Sequence, residues 1–178
     1  MSKSVISDAY KEMNKQLHSD KPEYGADAQK DAQGVVTFAR KSDCRVILDF
    51  SCGKGTLKPA ITAIAPDLTV LEFDPAIEGK DTLPSQPVDM IAAMDVMEHI
   101  EPEYLTAVLE SMCALKPRLV LMKIALTPAQ KTLPDGRNAH ILLRPAGWWR
   151  ETLDKYFQVR NCKELPLHYV YIGMPLAK

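Results

Sequence analysis

The sequence predicts an α/β fold: a mostly parallel sheet with helices on both faces. Three observations carry that expectation. Short apolar runs recur at Arg45–Phe50, Leu68–Phe73, Val88–Met94 and Arg118–Ile124, the texture of strands buried on both faces. Stretches of helical character alternate with them, as in βα units joined into one parallel sheet. The chain has 178 residues, 46% hydrophobic and 25% charged, enough for one domain with a core that needs no covalent staple.

Each element has a local reason. Residues 4–17 read as a short polar helix with Val5, Ile6, Tyr10 and Met13 on one side. Residues 19–25 form a turn-rich linker, and residues 26–41 a second helix, apolar toward its end at Val35, Val36 and Phe38. Residues 1–41 are thus an N-terminal helical unit ahead of a core at 45–124. Within the core, Pro102 opens a helix whose Leu105, Val108, Leu109 and Met112 share one face. The remainder, 125–178, begins with a polar loop. Pro145 then opens a helix carrying Trp149, Leu153, Tyr156 and Phe157 on one stripe. Phe157–Arg160 and His168–Ile172 read as an antiparallel pair closing one edge of the sheet.

Charge and cysteine usage narrow the function classes. Lys and Arg total 22 against 23 Asp and Glu, so nothing points to strong phosphate-driven binding of nucleic acid; a local basic patch is allowed, and duplex DNA is a disfavoured partner. Cys44, Cys52, Cys113 and Cys162 lie far apart with no C-x-x-C pair. That pattern fits reduced thiols in a cytoplasm better than a disulfide framework, and no metal site is expected. The N-terminus lacks the apolar core of a signal peptide, and no apolar run approaches a membrane span.

In open α/β sheets, ligands bind beyond the carboxyl ends of the strands, where strand order reverses. Three of these ends carry chemistry. After the first strand comes Asp49-Phe50-Ser51-Cys52-Gly53-Lys54-Gly55-Thr56, where Gly53 and Gly55 let backbone approach a ligand and a helix start offers N–H groups. It matches neither a Walker loop nor G-x-G-x-x-G; a plain strand-to-helix turn is the structural alternative. Glu72 and Asp74 end the second strand, suited to ribose hydroxyls or to capping the turn at Pro75. Asp95-Val96-Met97-Glu98-His99 follows the third strand as a polar cluster or as a capping box.

Together these segments resemble the class I S-adenosylmethionine-dependent methyltransferases. VILDFSCGKG is similar to their glycine motif, LTVLEFDPAI to their second-strand motif and VDMIAAMDVMEHI to their fourth-strand motif. DPAI, DVMEHIEPE, LPDGRNAH and RPAGWW further resemble short members common in bacteriophage and bacterial genomes. The resemblance implies a Rossmann-like fold with S-adenosylmethionine as cofactor. Asp49, Ser51, Gly53 and Gly55 would line its amino-acid end. Asp74, with Glu72 in reserve, would hold the ribose, and Asp95 and Val96 would approach the methionine part. Two departures stand out. Ser51 replaces a glycine, which is tolerable if the position does not need positive φ. Only residues 75–87 separate Asp74 from Val88, where the family places a helix and a strand. Thirteen extended residues reach about 43 Å, enough to cross the first strand but not to add those elements. A truncated sheet with the second strand at an edge follows, with Asp81, Leu83 or the backbone near it as substitutes at the adenine.

For the chemistry, His99 is a candidate base or else a capping residue. Arg137, His140 and Arg144, followed by Trp148, Trp149 and Arg150, gather positive charge and aromatic surface suited to an anionic acceptor. Trp149 lies on the helix stripe and is expected in the core. Asp135-Gly136 is turn chemistry. Cys52 has no neighbouring His and is not assigned catalysis; Lys54 is expected to face solvent. No N/D-P-P-Y/F/W motif and no Pro-Cys dipeptide of DNA methyltransferases is present. The expected function is methyl transfer to a small or nucleotide-like, anionic acceptor. The alternatives are a non-catalytic binding protein on a shortened fold or another reaction of the same cofactor. A homodimer along an exposed edge strand is a further expectation.

Overall fold

A computed structural model describes residues 4–20 and 27–176. Most of the expected linker at 19–25 lies outside the described residues. The elements are α1 (Asp8–Asp20), α2 (Ala32–Lys41), β1 (Val46–Phe50), α3 (Leu57–Ile64), β2 (Thr69–Phe73), β3 (Met90–Met94), α4 (Leu105–Ala114), β4 (Leu119–Ala125), α5 (Ala146–Leu153), β5 (Phe157–Glu164) and β6 (His168–Pro175). The second helix is shorter than expected, because Asp27–Asp31 forms a 3₁₀ turn before α2. The helix after Pro102 likewise starts with a 3₁₀ turn, Pro102–Tyr104.

The six strands form one sheet in the order β2-β1-β3-β4-β6-β5. β1 to β4 run parallel, while β6 lies antiparallel to β4 and β5 antiparallel to β6. The C-terminal pair closes one edge and β2 forms the other, as the texture predicts. No helix or strand lies between β2 and β3. The short connection instead folds into turns, with the Asp74 N–H donating to the Lys80 carbonyl at 2.9 Å. Asp89 ties this crossover to the start of β1, its carboxylate accepting the N–H groups of Arg45 and Val46, each at 2.8 Å.

Apolar alternation sends the sheet's two faces into two cores. Leu48, Phe50, Ile91, Met122 and Tyr171 pack with α4 and α5 on one side. Ile47, Val70, Met90, Ala92 and Leu121 pack with α2 and α3 on the other. Trp149 is fully buried in the first core, as its place on the helical stripe predicts. A third, smaller cluster seats α1, where Tyr10 and Leu17 meet Leu133 and Ala139. Strand order therefore reverses at β1/β3, and α1 is anchored on the loops beyond that point.

Candidate active site

A cavity of about 510 Å³ opens beyond the carboxyl ends of β1 and β3, at the topological switch point where such sheets bind ligands. Its floor is the turn leaving β1. Ser51, Gly53 and Gly55 all adopt positive φ, at 57°, 51° and 72°. Here the sequence expectation for Ser51 is corrected: the position does use the left-handed region, at a cost of about 1–2 kcal/mol for a non-glycine residue. The turn is stitched to β2, with the Cys52 N–H donating to the Phe73 carbonyl at 3.0 Å. The Gly53 N–H donates to Asp74 Oδ2 at 2.9 Å.

Gly55 lies outside the cavity lining. A Cβ there would overlap Glu72 Oε1 and stand 2.7 Å from Lys80 Nζ. Its lack of a side chain makes room for the Glu72–Lys80 pair, 2.8 Å long, to which Lys58 adds a 3.6 Å contact. Glu72 is thus committed to two lysines and stays out of the cavity, whereas Asp74 lines it. Asp74 accepts from Gly53 and, through Oδ1, from the Ala76 N–H at 2.9 Å. A carboxylate has about four acceptor sites, so lone pairs are left for a ligand hydroxyl.

Asp49, Asp74, Asp95, Glu98 and Glu101 contribute five carboxylates to the lining, against a single lysine, Lys131. Asp49 is 2% exposed, and burial, then repulsion from Glu72, pushes its carboxyl up to about 7. Its Oδ2 is buried without a hydrogen-bond partner. Asp95, at φ 54°, is held by Lys123 at 2.8 Å and approached by His168 at 3.4 Å. Lys123 also binds Asp31 at 2.6 Å, joining the 3₁₀ turn before α2 to the end of β3. Val96 and Cys52 complete this wall. Burial, reinforced by Asp49, raises the Cys52 thiol to about 12, so it is no thiolate nucleophile.

The opposite wall brings distant segments together. Glu98 is fully buried, and its Oε1 accepts the Ala125 N–H at 3.0 Å; no capping box forms. His99 Nδ1 lies 2.8 Å from the Ala139 carbonyl, and His140 Nδ1 lies 2.6 Å from the Thr127 carbonyl. The two imidazoles meet edge to face at 4.8 Å. His140 thus reaches the cavity, but its sequence neighbours do not. Arg137 is exposed and paired with Asp135 at 2.7 Å. Arg144 lies over the Trp148 ring at 5.5 Å, and Arg150 binds Asp154. None of the three arginines lines the cavity, which removes the charge argument for an anionic acceptor. Asp81 pairs with Lys11 at 3.4 Å and Leu83 packs on the core, so neither substitutes at the cavity.

Sequence reasoning missed the lid-like wall. Val5, Ile6 and Tyr10 line the cavity, held there by Ser7, whose N–H and Oγ donate to the two oxygens of Glu101 at 2.8 and 2.7 Å. The apolar side of residues 4–17 was the available signal, but nothing local states what it covers.

No protein-family model and no curated protein matches the chain. Solved structures do. A Burkholderia thailandensis 1,6-didemethyltoxoflavin-N1-methyltransferase, with bound 1,6-didemethyltoxoflavin and S-adenosylhomocysteine, is similar with TM-score 0.65 and 13% identity over 90% of this chain and 83% of that one. The methyltransferase domain of bacterial CtHen1-C is similar with TM-score 0.61 and 15% identity over 84% of this chain and 98% of that one. TnmH is similar with TM-score 0.59 and 17% identity over 90% of this chain, which spans only 60% of TnmH. The chain therefore has the fold of the class I S-adenosylmethionine-dependent methyltransferases.

Proposed function

We propose that the protein binds S-adenosylmethionine in the switch-point cavity and transfers its methyl group to a small or nucleotide-like acceptor. The observation that carries this reading is the lining itself: a tight positive-φ turn beside a buried, unpartnered Asp49 oxygen and an Asp74 with acceptor capacity to spare. A cationic sulfonium ligand with an α-amino group suits a cavity rich in carboxylates, and the ribose suits Asp74. In this reading Asp49, Ser51, Gly53, Asp74, Asp95 and Val96 hold the cofactor, while Gly55 shapes the turn from behind. The cofactor supplies an electrophilic methyl; the protein aligns the acceptor and excludes water. In this reading the acceptor lies against His99 and His140, which line the cavity. Arg137 is not part of this machinery.

One feature favours a second reading, a binding protein without turnover. The connection from β2 to β3 contains no helix or strand, so an adenine would be covered by turns rather than by an apolar helix. Calorimetry with S-adenosylmethionine and S-adenosylhomocysteine tests the first reading, and no binding at millimolar ligand by folded protein would end it. Asp74→Ala should weaken binding by more than about 1 kcal/mol through lost ribose hydrogen bonds. Binding without turnover over a panel of small hydroxyl and amine acceptors would favour the second reading.

A further inference from the structure

The wall opposite the cofactor turn carries a group of side chains that methyl transfer alone does not require. Glu98, His99 and His140 each offer a ligand atom, and these atoms all lie within 4.8 Å of one another. All three residues line the cavity. Glu98 is the decisive member. It is fully buried, one oxygen is fixed by the Ala125 N–H, and the other, Oε2, has no hydrogen-bond partner. A buried carboxylate oxygen with nothing to accept is costly unless something positive answers it. Lys123, whose charge acts on Glu98, is already bound to Asp31 and Asp95.

The histidines are oriented as metal ligands are. A carbonyl oxygen can only accept, so each Nδ1, 2.8 Å from Ala139 and 2.6 Å from Thr127, carries the ring proton. In this tautomer Nε2 is the nitrogen that can ligate a metal, and a backbone carbonyl behind Nδ1 is the usual support of a ligating ring. Two imidazoles and one carboxylate are the donor set of catalytic zinc and of facial-triad iron. Donors bound at about 2.1 Å stand roughly 3–3.5 Å apart, so ligand atoms within 4.8 Å of one another need to close by at most about 1–2 Å.

We propose that Glu98, His99 and His140 bind one divalent transition-metal ion of the zinc, manganese or iron type, with its open positions facing the cavity. The ion answers the buried Glu98 oxygen. Together with the methyl-transfer reading, on which this clause rests, it gives the acceptor class: a compound with an oxygen donor, such as a hydroxyl, that coordinates the ion beside the cofactor. It also returns positive charge to the acceptor end of a cavity whose arginines point elsewhere.

The test uses the full chain, stripped with chelator and checked for its fold by circular dichroism. Equilibrium dialysis against Zn²⁺ and, separately, Mn²⁺ should give one tightly held ion per chain. Co²⁺ substitution should give visible bands without thiolate charge-transfer absorption, separating this site from Cys52. Glu98→Gln keeps the shape and should weaken binding at least tenfold, and His140→Ala should do the same. Should either variant fail to fold, the wild-type Co²⁺ spectrum and stoichiometry still decide. Absence of stoichiometric binding by all three ions overturns the proposal, as does a thiolate-type Co²⁺ spectrum or unchanged affinity in folded Glu98→Gln. None of these readouts needs S-adenosylmethionine, so the site and the methyl-transfer reading fail separately.

Discussion

Replacing Asp49 by Asn tests how the cavity recognises a cation. Burial and the facing Glu72 push the Asp49 carboxyl from 3.8 to about 7, a preference for the neutral form of about 4 kcal/mol. A ligand carrying a sulfonium and an ammonium reverses that preference by stabilising the carboxylate. Binding at pH 7 should therefore release about half a proton from Asp49. Below pH 7 the ligand must first displace that proton, so affinity should fall about tenfold per pH unit between 7 and 5. Calorimetry of S-adenosylmethionine binding across this range, in two buffers of different ionisation enthalpy, measures both quantities. Asp49→Asn should bind more weakly at pH 8 and lose most of the slope. Titration of the ligand's own amino group survives in the variant and serves as the internal control. An affinity constant from pH 6 to 8 in the wild type, or an unchanged slope in Asp49→Asn, would refute the argument.

Four further outcomes follow from the geometry. Asp49 binds protons more readily folded than unfolded, so wild-type stability should fall as pH rises from about 4 to 7, and Asp49→Asn should be the more stable protein at pH 8 in urea titrations. Ser51→Gly removes a left-handed serine; the strain relieved exceeds the entropy added, and unfolding should show a gain of some tenths to about 1 kcal/mol. Gly55→Ala puts a Cβ into the left-handed position beside the Glu72–Lys80 pair and should cost about 1–2 kcal/mol by the same assay. Ser7→Ala removes the hydroxyl that donates to Glu101 and accepts the Tyr10 N–H at 3.1 Å. It should destabilise α1 by about 1 kcal/mol, seen as faster limited proteolysis ahead of Asp20.

The sequence by itself determined the elements, because the forces that choose them are local. Short continuous apolar runs alternating with helical stretches suit strands with both faces covered, and the helical stripe favours the core for Trp149, which is fully buried. The thirteen residues after Asp74 were too few for a helix and a strand, which put β2 at the edge. The tertiary structure decided the site. Glu72 and Asp74 are two residues apart and equally suited to a ribose; packing gave one to lysines and turned the other into the cavity. Arg137 and His140 are three residues apart, yet one pairs with Asp135 in solvent while the other packs against His99 on the cavity wall. Ser51 took a left-handed conformation because the turn had to leave β1 and meet the end of β2, a long-range demand that outweighs a local preference. Strand texture reports burial, which a chain announces in its own composition. Which side chain faces which depends on segments forty residues away, and only the assembled sheet brings them together.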